Sequence, residues 1–517
     1  MSKKINLDAL IPREDFEVHD SDTVPTNIAQ NLKATDLAED SFFFSSIRKP
    51  DFQRETNEWD QERVISLIQS FLDDELIPAV ILWKNQAGFT FVIDGAHRLS
   101  ALAAWVNNDY GDGSITKSFY ESIISEEQIE IASRLRERIN KTIGPYSDYK
   151  LAIKSPEKVK EEIAIKARLL GSLAIQIQWV NGDAKKAEAS FFKINQKAAP
   201  IDKTEFILLE SRNKPNGIAT RAILRSGKGH KYWSSFAKEQ QQIVQDLALD
   251  INDILFKPSL KTPLKTLDIP VAGKSFSSQT QMLVLEFVNI VNNIQVSTKI
   301  PDDVNGSETI KALKKCLTIA QLINSNHASS LGLHPAVYFY ARNGRYKPAS
   351  FNFFLQLFIK LRDTKKLNEF TKVRAKFEDI VLNYDDLPRQ IIRKYRTSSK
   401  GAPYVVEFYL QAIKLLNNDL DVKDVIERIF LLPDFNYLTM KSDDISGHDE
   451  IDFDSDGKSE VFMNEALKNS IKCKICGGYL HRNAISIDHI TRKQDGGSSN
   501  VENGQVSHPY CNTGYKN

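Results

Sequence analysis

A chain of 517 residues is too long for one hydrophobic core, so two to four domains are expected. With 41% hydrophobic and 26% charged residues it has the composition of a soluble globular protein. A formal net charge of +1 excludes a global bias toward polyanions, so any nucleic-acid surface must be a local patch.

The opening MSKKINLDALIPRED lacks the apolar core of a signal peptide, and no apolar run reaches transmembrane length. A cytoplasmic protein with no membrane partner is therefore expected. After Trp59, Asp60 can cap a helix, because Val64, Ile65, Leu67, Ile68, Phe71 and Leu72 follow helical spacing. "IPAVILW" reads as a strand, "KNQAG" as a turn and "FTFVI" as its hairpin partner. The chain then runs through "FVIDGAHRLSALAAW", from a strand into an alanine-rich helix from about Leu99.

That connection holds Asp94, Gly95, His97 and Arg98, more chemistry than a turn needs. A glycine between a strand and a helix N-terminus leaves backbone N–H groups facing open space, which is a ready anion site. Arg98 adds a fixed fork for phosphate oxygens, Asp94 suits a magnesium ion or a ribose hydroxyl, and His97 can donate to phosphate. A plainer alternative is that Asp94 caps the helix or pairs with Arg98. Polar sequence from Tyr110 to about Arg168 reads as helices and loops, and "LAIQIQWV" alternates as a further strand before "GDAKKAEASFFKINQKAAPID".

From about Ile218 to Tyr437 the apolar spacing is helical, as in "SQTQMLVLEFVNIVNNI", "FNFFLQLFIKLR" and "YVVEFYLQAIKLLNN". Cys316 reads as a buried small hydrophobe and His334 as a core or capping histidine. Two stretches, "ARNGRYKPAS" and "RQIIRKYRTSSKG", combine cations with tyrosine and suit either DNA contact or solvated surface. The acidic run "KSDDISGHDEIDFDSDGKSE" reads as a linker or exposed loop. Its Asp452, Asp454, Asp456 and Gly457 imitate a calcium-loop opening, but Met463 stands where a bidentate glutamate is needed.

Three of the four cysteines lie in the last 45 residues. Cys473 and Cys476 form a CxxC pair, and His508 and Cys511 form an HxxC pair after 31 intervening residues. Clustered cysteines in a cytosolic chain point to metal, and two such pairs suit a tetrahedral structural Zn2+. A module of about 50 residues with few large apolar side chains needs such a staple. Between the pairs stand Asp488 and His489 in "SIDHI".

The order Cys473/Cys476, Asp488-His489, Gly496-Gly497, Asn503, His508/Cys511, Asn512 and Lys516 resembles the HNH (ββα-metal) endonucleases, with His508 where a cysteine is usual. That resemblance implies phosphodiester cleavage of DNA. A neutral imidazole at His489 would accept a proton from water, and Asp488 and Asn512 would hold a catalytic Mg2+ or Mn2+. Asn503 would orient His489 or brace the turn. A zinc module that binds without cutting is the alternative.

A second resemblance covers roughly residues 40–210. Gln53, Arg54, Trp59, Asp94, Gly95, Arg98, Phe191 and Asn195 match the pattern of the ParB-like, DGQQR-type domain of GmrSD-type and SspE-type restriction proteins. The resemblance implies binding or hydrolysis of a nucleoside triphosphate, with Gln53 and Arg54 lining the pocket beside Asp94, Gly95, His97 and Arg98. Ala96 and His97 replace both glutamines and move the motif toward a DGxHR form, which weakens hydrolysis more than binding.

The expected fold class is α+β and multidomain: a ParB-like α/β domain over 1–215, a helical domain over 216–440, an acidic linker over 441–464 and a zinc-stapled HNH domain over 465–517. The expected partners are DNA, including modified phage DNA in a type IV restriction role, and a nucleotide. A homo-oligomer stays open. The alternative from another class is a ParB-type nucleotide-switched DNA-binding protein.

Overall fold

The computed structural model describes residues 4–14, 29–50, 56, 59–85, 88–120, 124, 126–198, 203–228, 231–275, 278–295, 299–440 and 453–516. The chain is α+β and divides into two compact units, one of residues 1–213 and 228–235, the other of residues 214–227 and 236–517. Among the described residues no helix is long and apolar enough to cross a membrane.

The first unit is built on a mixed sheet of six strands: β1 (Arg13–Glu14), β2 (Asn31–Leu32), β3 (Ile47–Pro50), β4 (Val80–Lys84), β5 (Thr90–Asp94) and β6 (Ile175–Trp179), in the order β1-β3-β5-β4-β6-β2. β4 and β5 are the expected antiparallel hairpin, and β6 joins β4 in parallel. Period-two alternation splits their side chains between two cores. Val80, Leu82 and Val92 enter the larger core with the helices Gln61–Leu72 and Ala96–Asn107. Trp83, Phe91 and Ile93 form a second core with Ala187 and Phe191 of the helix Ala184–Ala198. Asp60 caps the first of these helices as expected, accepting from the Arg63 N–H at 3.0 Å. The helix after the turn starts at Ala96 rather than near Leu99, so His97 and Arg98 lie in its first turn.

The second unit is helical up to the tail. Phe353, Phe354, Phe358, Phe370, Phe377 and Tyr409 interlock at ring separations from 4.7 to 6.3 Å. Cys316 is fully buried in the helix Ser307–Ile323. His334 is both core and cap, buried while its Nδ1 accepts from the Ala336 N–H at 3.2 Å.

The segment expected as a linker over 441–464 is helical in its later part. Residues 441–452, including Asp452, lie outside the described residues, and a helix spans Ser455–Lys468. Asp454 is its N-cap, accepting from Gly457 N–H at 2.7 Å, and Asp456 pairs with Arg345. Two of the acidic residues that imitate a calcium loop, Asp454 and Asp456, therefore start and anchor a helix.

Candidate active site and metal centre

At the strand-to-helix turn, Gly95 has φ +100°, and a Cβ there would lie 2.7 Å from Val80 Cγ1. Both the left-handed backbone and the close approach require glycine. The glycine supplies no side-chain cap, so the first N–H groups of Ala96–Asn107 are left to another acceptor. Arg98 donates to Asp94 Oδ2 at 2.7 Å and to the Ala79 carbonyl at 3.2 Å. This is the pairing within the turn that the sequence allowed. His97 stacks on Trp59 with ring centroids 5.7 Å apart. The turn thus gathers Trp59, Asp94, Gly95, His97 and Arg98. Gln53 and Arg54 lie outside the described residues, as does the side chain of Asn195, while Phe191 is core.

Sequence reasoning missed a buried group beside that segment. Asp8 accepts from Arg13, from Lys49 Nζ at 2.7 Å and from the Thr56 N–H at 2.9 Å, with the side chains of Asp8, Arg13 and Lys49 fully enclosed. Lys49 and Thr56 flank residues 51–55, so one carboxylate holds both shoulders of the stretch carrying Gln53 and Arg54.

In the tail, Cys473, Cys476, His508 and Cys511 converge, their ligand atoms all within 4.8 Å of one another and all four residues buried. His508 Nδ1 faces Cys476 Sγ at 3.4 Å and Cys511 Sγ at 3.7 Å, while its Nε2 lies 3.0 Å from the Tyr479 carbonyl. A carbonyl only accepts, so Nε2 carries the proton and Nδ1 presents its lone pair to the sulfurs. Hydrogen bonds from Cys476 and Cys511 hold the Cys473 thiol far below the ordinary thiol range. Three sulfurs and one imidazole nitrogen in a closed, buried set fit a tetrahedral structural metal, and zinc above all.

The ββ part of the tail pairs β7 (Ser486–His489) with β8 (Gly504–Ser507), and Asp488 sits directly opposite Gln505. Asp488 is buried, and its Oδ2 accepts from Gln505 Nε2 and from Lys516 Nζ, each at 2.7 Å. Its Oδ1 takes no hydrogen bond among the described residues. The half-buried imidazole of His489 likewise makes none there. Asn503 lies in the turn: its Oδ1 accepts from Thr491 N–H at 2.8 Å, and its Nδ2 donates to the Thr491 and Ser498 carbonyls. Of the two roles left open by the sequence, its bonds are those of a brace. Asn512 donates to Ser486 Oγ at 2.8 Å, which ties the last turn to β7.

This tail is not a free module. Arg374, in the helix Leu367–Asn383, donates from Nε to Glu378 Oε1 at 2.7 Å and reaches the carbonyls of Leu331 and Gly332. Glu378 also accepts from the Tyr479 N–H at 2.8 Å and from Tyr338 at 2.9 Å. Burial acts to lower the pKa of Arg374, but Glu378 together with Tyr338, Cys476 and Cys511 outweighs it, so the guanidinium is held above its ordinary value.

The two cationic stretches differ. Arg342 donates to the Leu382 carbonyl and to Asn383, Arg345 pairs with Asp456, and burial pushes the Lys347 ammonium down to about 8. Arg393, Lys394 and Arg396 are exposed, with Lys394 Nζ 3.5 Å from the centre of the Tyr437 ring and Tyr395 stacked on Tyr404 at 3.8 Å.

Residues 36–212 match the model of the GmrSD restriction endonuclease N-terminal domain, and residues 473–517 match that of the HNH endonuclease. No curated protein and no solved structure matches the chain.

Proposed function

We propose that this protein, an HNH endonuclease of the GmrSD restriction type, cuts DNA at the Asp488–His489 site under the control of a phosphate-bearing ligand held at the Asp94–Arg98 turn. The observation that carries the cleavage reading is the state of the two neighbours. Among the described residues Asp488 has one oxygen pinned and the other unengaged, and His489 has an imidazole without a hydrogen-bond partner. His489 takes the proton of the attacking water. Asp488 and Asn512 are the residues to hold a divalent ion, which supplies positive charge to the scissile phosphate and the leaving oxygen. Asn503 keeps the loop after His489 closed. Cys473, Cys476, His508 and Cys511 hold zinc and give the module its fold.

Control rests on the N-terminal turn. An uncapped helix start, a left-handed glycine that sets the turn, and a guanidinium already aligned by Asp94 suit a phosphate group. That group belongs to a nucleotide or to a modified DNA backbone, and the biological setting is restriction of foreign DNA. The test is a cleavage panel of unmodified, phosphorothioated and hydroxymethylated DNA with magnesium, with and without each nucleoside triphosphate. Cleavage that is equal across all arms would overturn the control reading. No cleavage in any arm, with zinc in place, would overturn the nuclease reading in favour of a DNA-binding module.

A further inference from the structure

Asp488, the carboxylate assigned above to the divalent ion, already has a cation. Lys516 Nζ stands 2.7 Å from Asp488 Oδ2, and the two side chains are only 18% and 7% exposed. The ammonium is anchored from a second side, because it also donates to the His489 carbonyl and, at 3.4 Å, to that of Ile490. Its backbone is fixed as well: the Lys516 N–H bonds to the Cys511 carbonyl at 3.1 Å, and Arg492 donates to the Lys516 carbonyl. An ordinary surface lysine is held by none of these. Gln505 completes the arrangement as a neutral donor to the same oxygen.

We infer that Lys516 is a positioning residue that sets the metal affinity of the nuclease site, making stable uptake of the divalent ion depend on the phosphate of bound DNA. The inference rests on the reading of Asp488 as a metal ligand. Asn512 and Gln505 are neutral, so the formal charge of Asp488 with Lys516 is zero rather than minus one. In a half-enclosed site a fixed positive charge on the same carboxylate repels an arriving dication much more than it would in bulk water. A phosphate oxygen restores the missing negative charge, so ion and DNA bind together. Meanwhile the grip of Lys516 and Gln505 on Oδ2 leaves Oδ1 as the oxygen for the ion.

The experiment uses full-length, zinc-loaded protein without DNA and titrates it with Mn2+, reading free Mn2+ by electron paramagnetic resonance. Lys516→Met is expected to bind Mn2+ at least about tenfold more tightly than wild type, and Lys516→Gln likewise, whereas Lys516→Arg stays near wild type. The Mn2+ concentration for half-maximal cleavage falls in the same order. Equal or weaker Mn2+ binding in both charge-removing variants, with zinc content and melting unchanged, overturns the inference. Should Lys516→Met fail to fold, Lys516→Gln carries the test alone. Asp488→Ala separates the underlying reading. If it binds Mn2+ as wild type does, Asp488 is no metal ligand, whatever Lys516 does.

Discussion

Replacing Arg374 by alanine should destabilise the second unit and loosen its metal centre together. The guanidinium is 1% exposed and faces Glu378, also 1% exposed, at 2.7 Å. Among the described residues, truncation leaves Glu378 with the Tyr338 hydroxyl and the Tyr479 N–H as donors, and removes the donors to the carbonyls of Leu331 and Gly332. Breaking a buried ion pair on one side costs about 3–5 kcal/mol, because the remaining charge stays enclosed. For a unit that spans residues 214–227 and 236–517 each kcal/mol moves a melting transition by roughly 1.5–2 °C, so a fall of about 5–10 °C is expected. Calorimetry on zinc-loaded full-length protein reads the transition, and a chromogenic chelator reads the rate of zinc release. Release should quicken, since Tyr479 links the two sites: its N–H bonds Glu378 and its carbonyl bonds His508. Arg374→Met with Glu378→Leu should recover most of the loss, because no charge is left unpaired. A wild-type transition in Arg374→Ala, or a double variant no better than the single, would refute the reasoning.

Other consequences can be checked separately. Elemental analysis should find about one zinc per chain, with Cys476→Ser lowering that content; no zinc, or no change, removes the metal assignment. His489→Ala should cut magnesium-dependent cleavage by about 10²–10⁴ while DNA binding and zinc content stay, and wild-type cutting would place the base elsewhere. Neutralising Arg393, Lys394 and Arg396 should weaken DNA binding uniformly across sequences and flatten the salt dependence by roughly one unit for each phosphate interaction removed, so an unchanged slope makes that segment ordinary surface. Arg98→Ala should abolish ligand binding at the N-terminal turn and alter cleavage without changing zinc content, as followed by calorimetry with nucleotides and modified DNAs. Normal binding and cutting would leave the turn a structural one.

What the sequence disclosed was local. Asp60 with the apolar spacing after it, and the hairpin around "KNQAG", are settled by near neighbours, and each is found where expected. β1 and β2 were not legible because each is two residues long and exists only by pairing with strands far along the chain. The helix Ser455–Lys468 was hidden by the composition of the acidic run, in which a capping aspartate looks like every other aspartate. Arg374 and Glu378 stand four residues apart, a spacing that a buried pair and an exposed pair share. Glu378 accepts from Tyr479, about a hundred residues further on, a partner that sequence spacing does not reveal. The ligand set of the tail was legible because metal chemistry fixes both residue type and spacing. The bonds of Lys516 and Gln505 were not, because they follow from strand register and from the course of the last turn.

The two candidate sites share one electrostatic plan. At the N-terminal turn Arg98 lies on Asp94, and in the tail Lys516 lies on Asp488, each at 2.7 Å. Each carboxylate therefore starts neutralised by a cation of the same unit. A free anion reaching Arg98 must compete with Asp94, and a free dication reaching Asp488 must compete with Lys516. A ligand that brings both signs meets no such opposition, because its phosphate can turn to the protein cation while its metal ion turns to the carboxylate. On the proposed function, this selects a metal-bound phosphate over either component alone. Metal–triphosphate suits the first site, and a DNA phosphate together with its divalent ion suits the second. The consequence can be measured at the first site without any cleavage. A nucleoside triphosphate should bind more weakly in chelator than in magnesium. Asp94→Asn should shrink that difference by freeing Arg98 to take the phosphate unassisted. A magnesium dependence that survives Asp94→Asn intact would mean that the ion is held by other residues, and the shared plan would fail for that site.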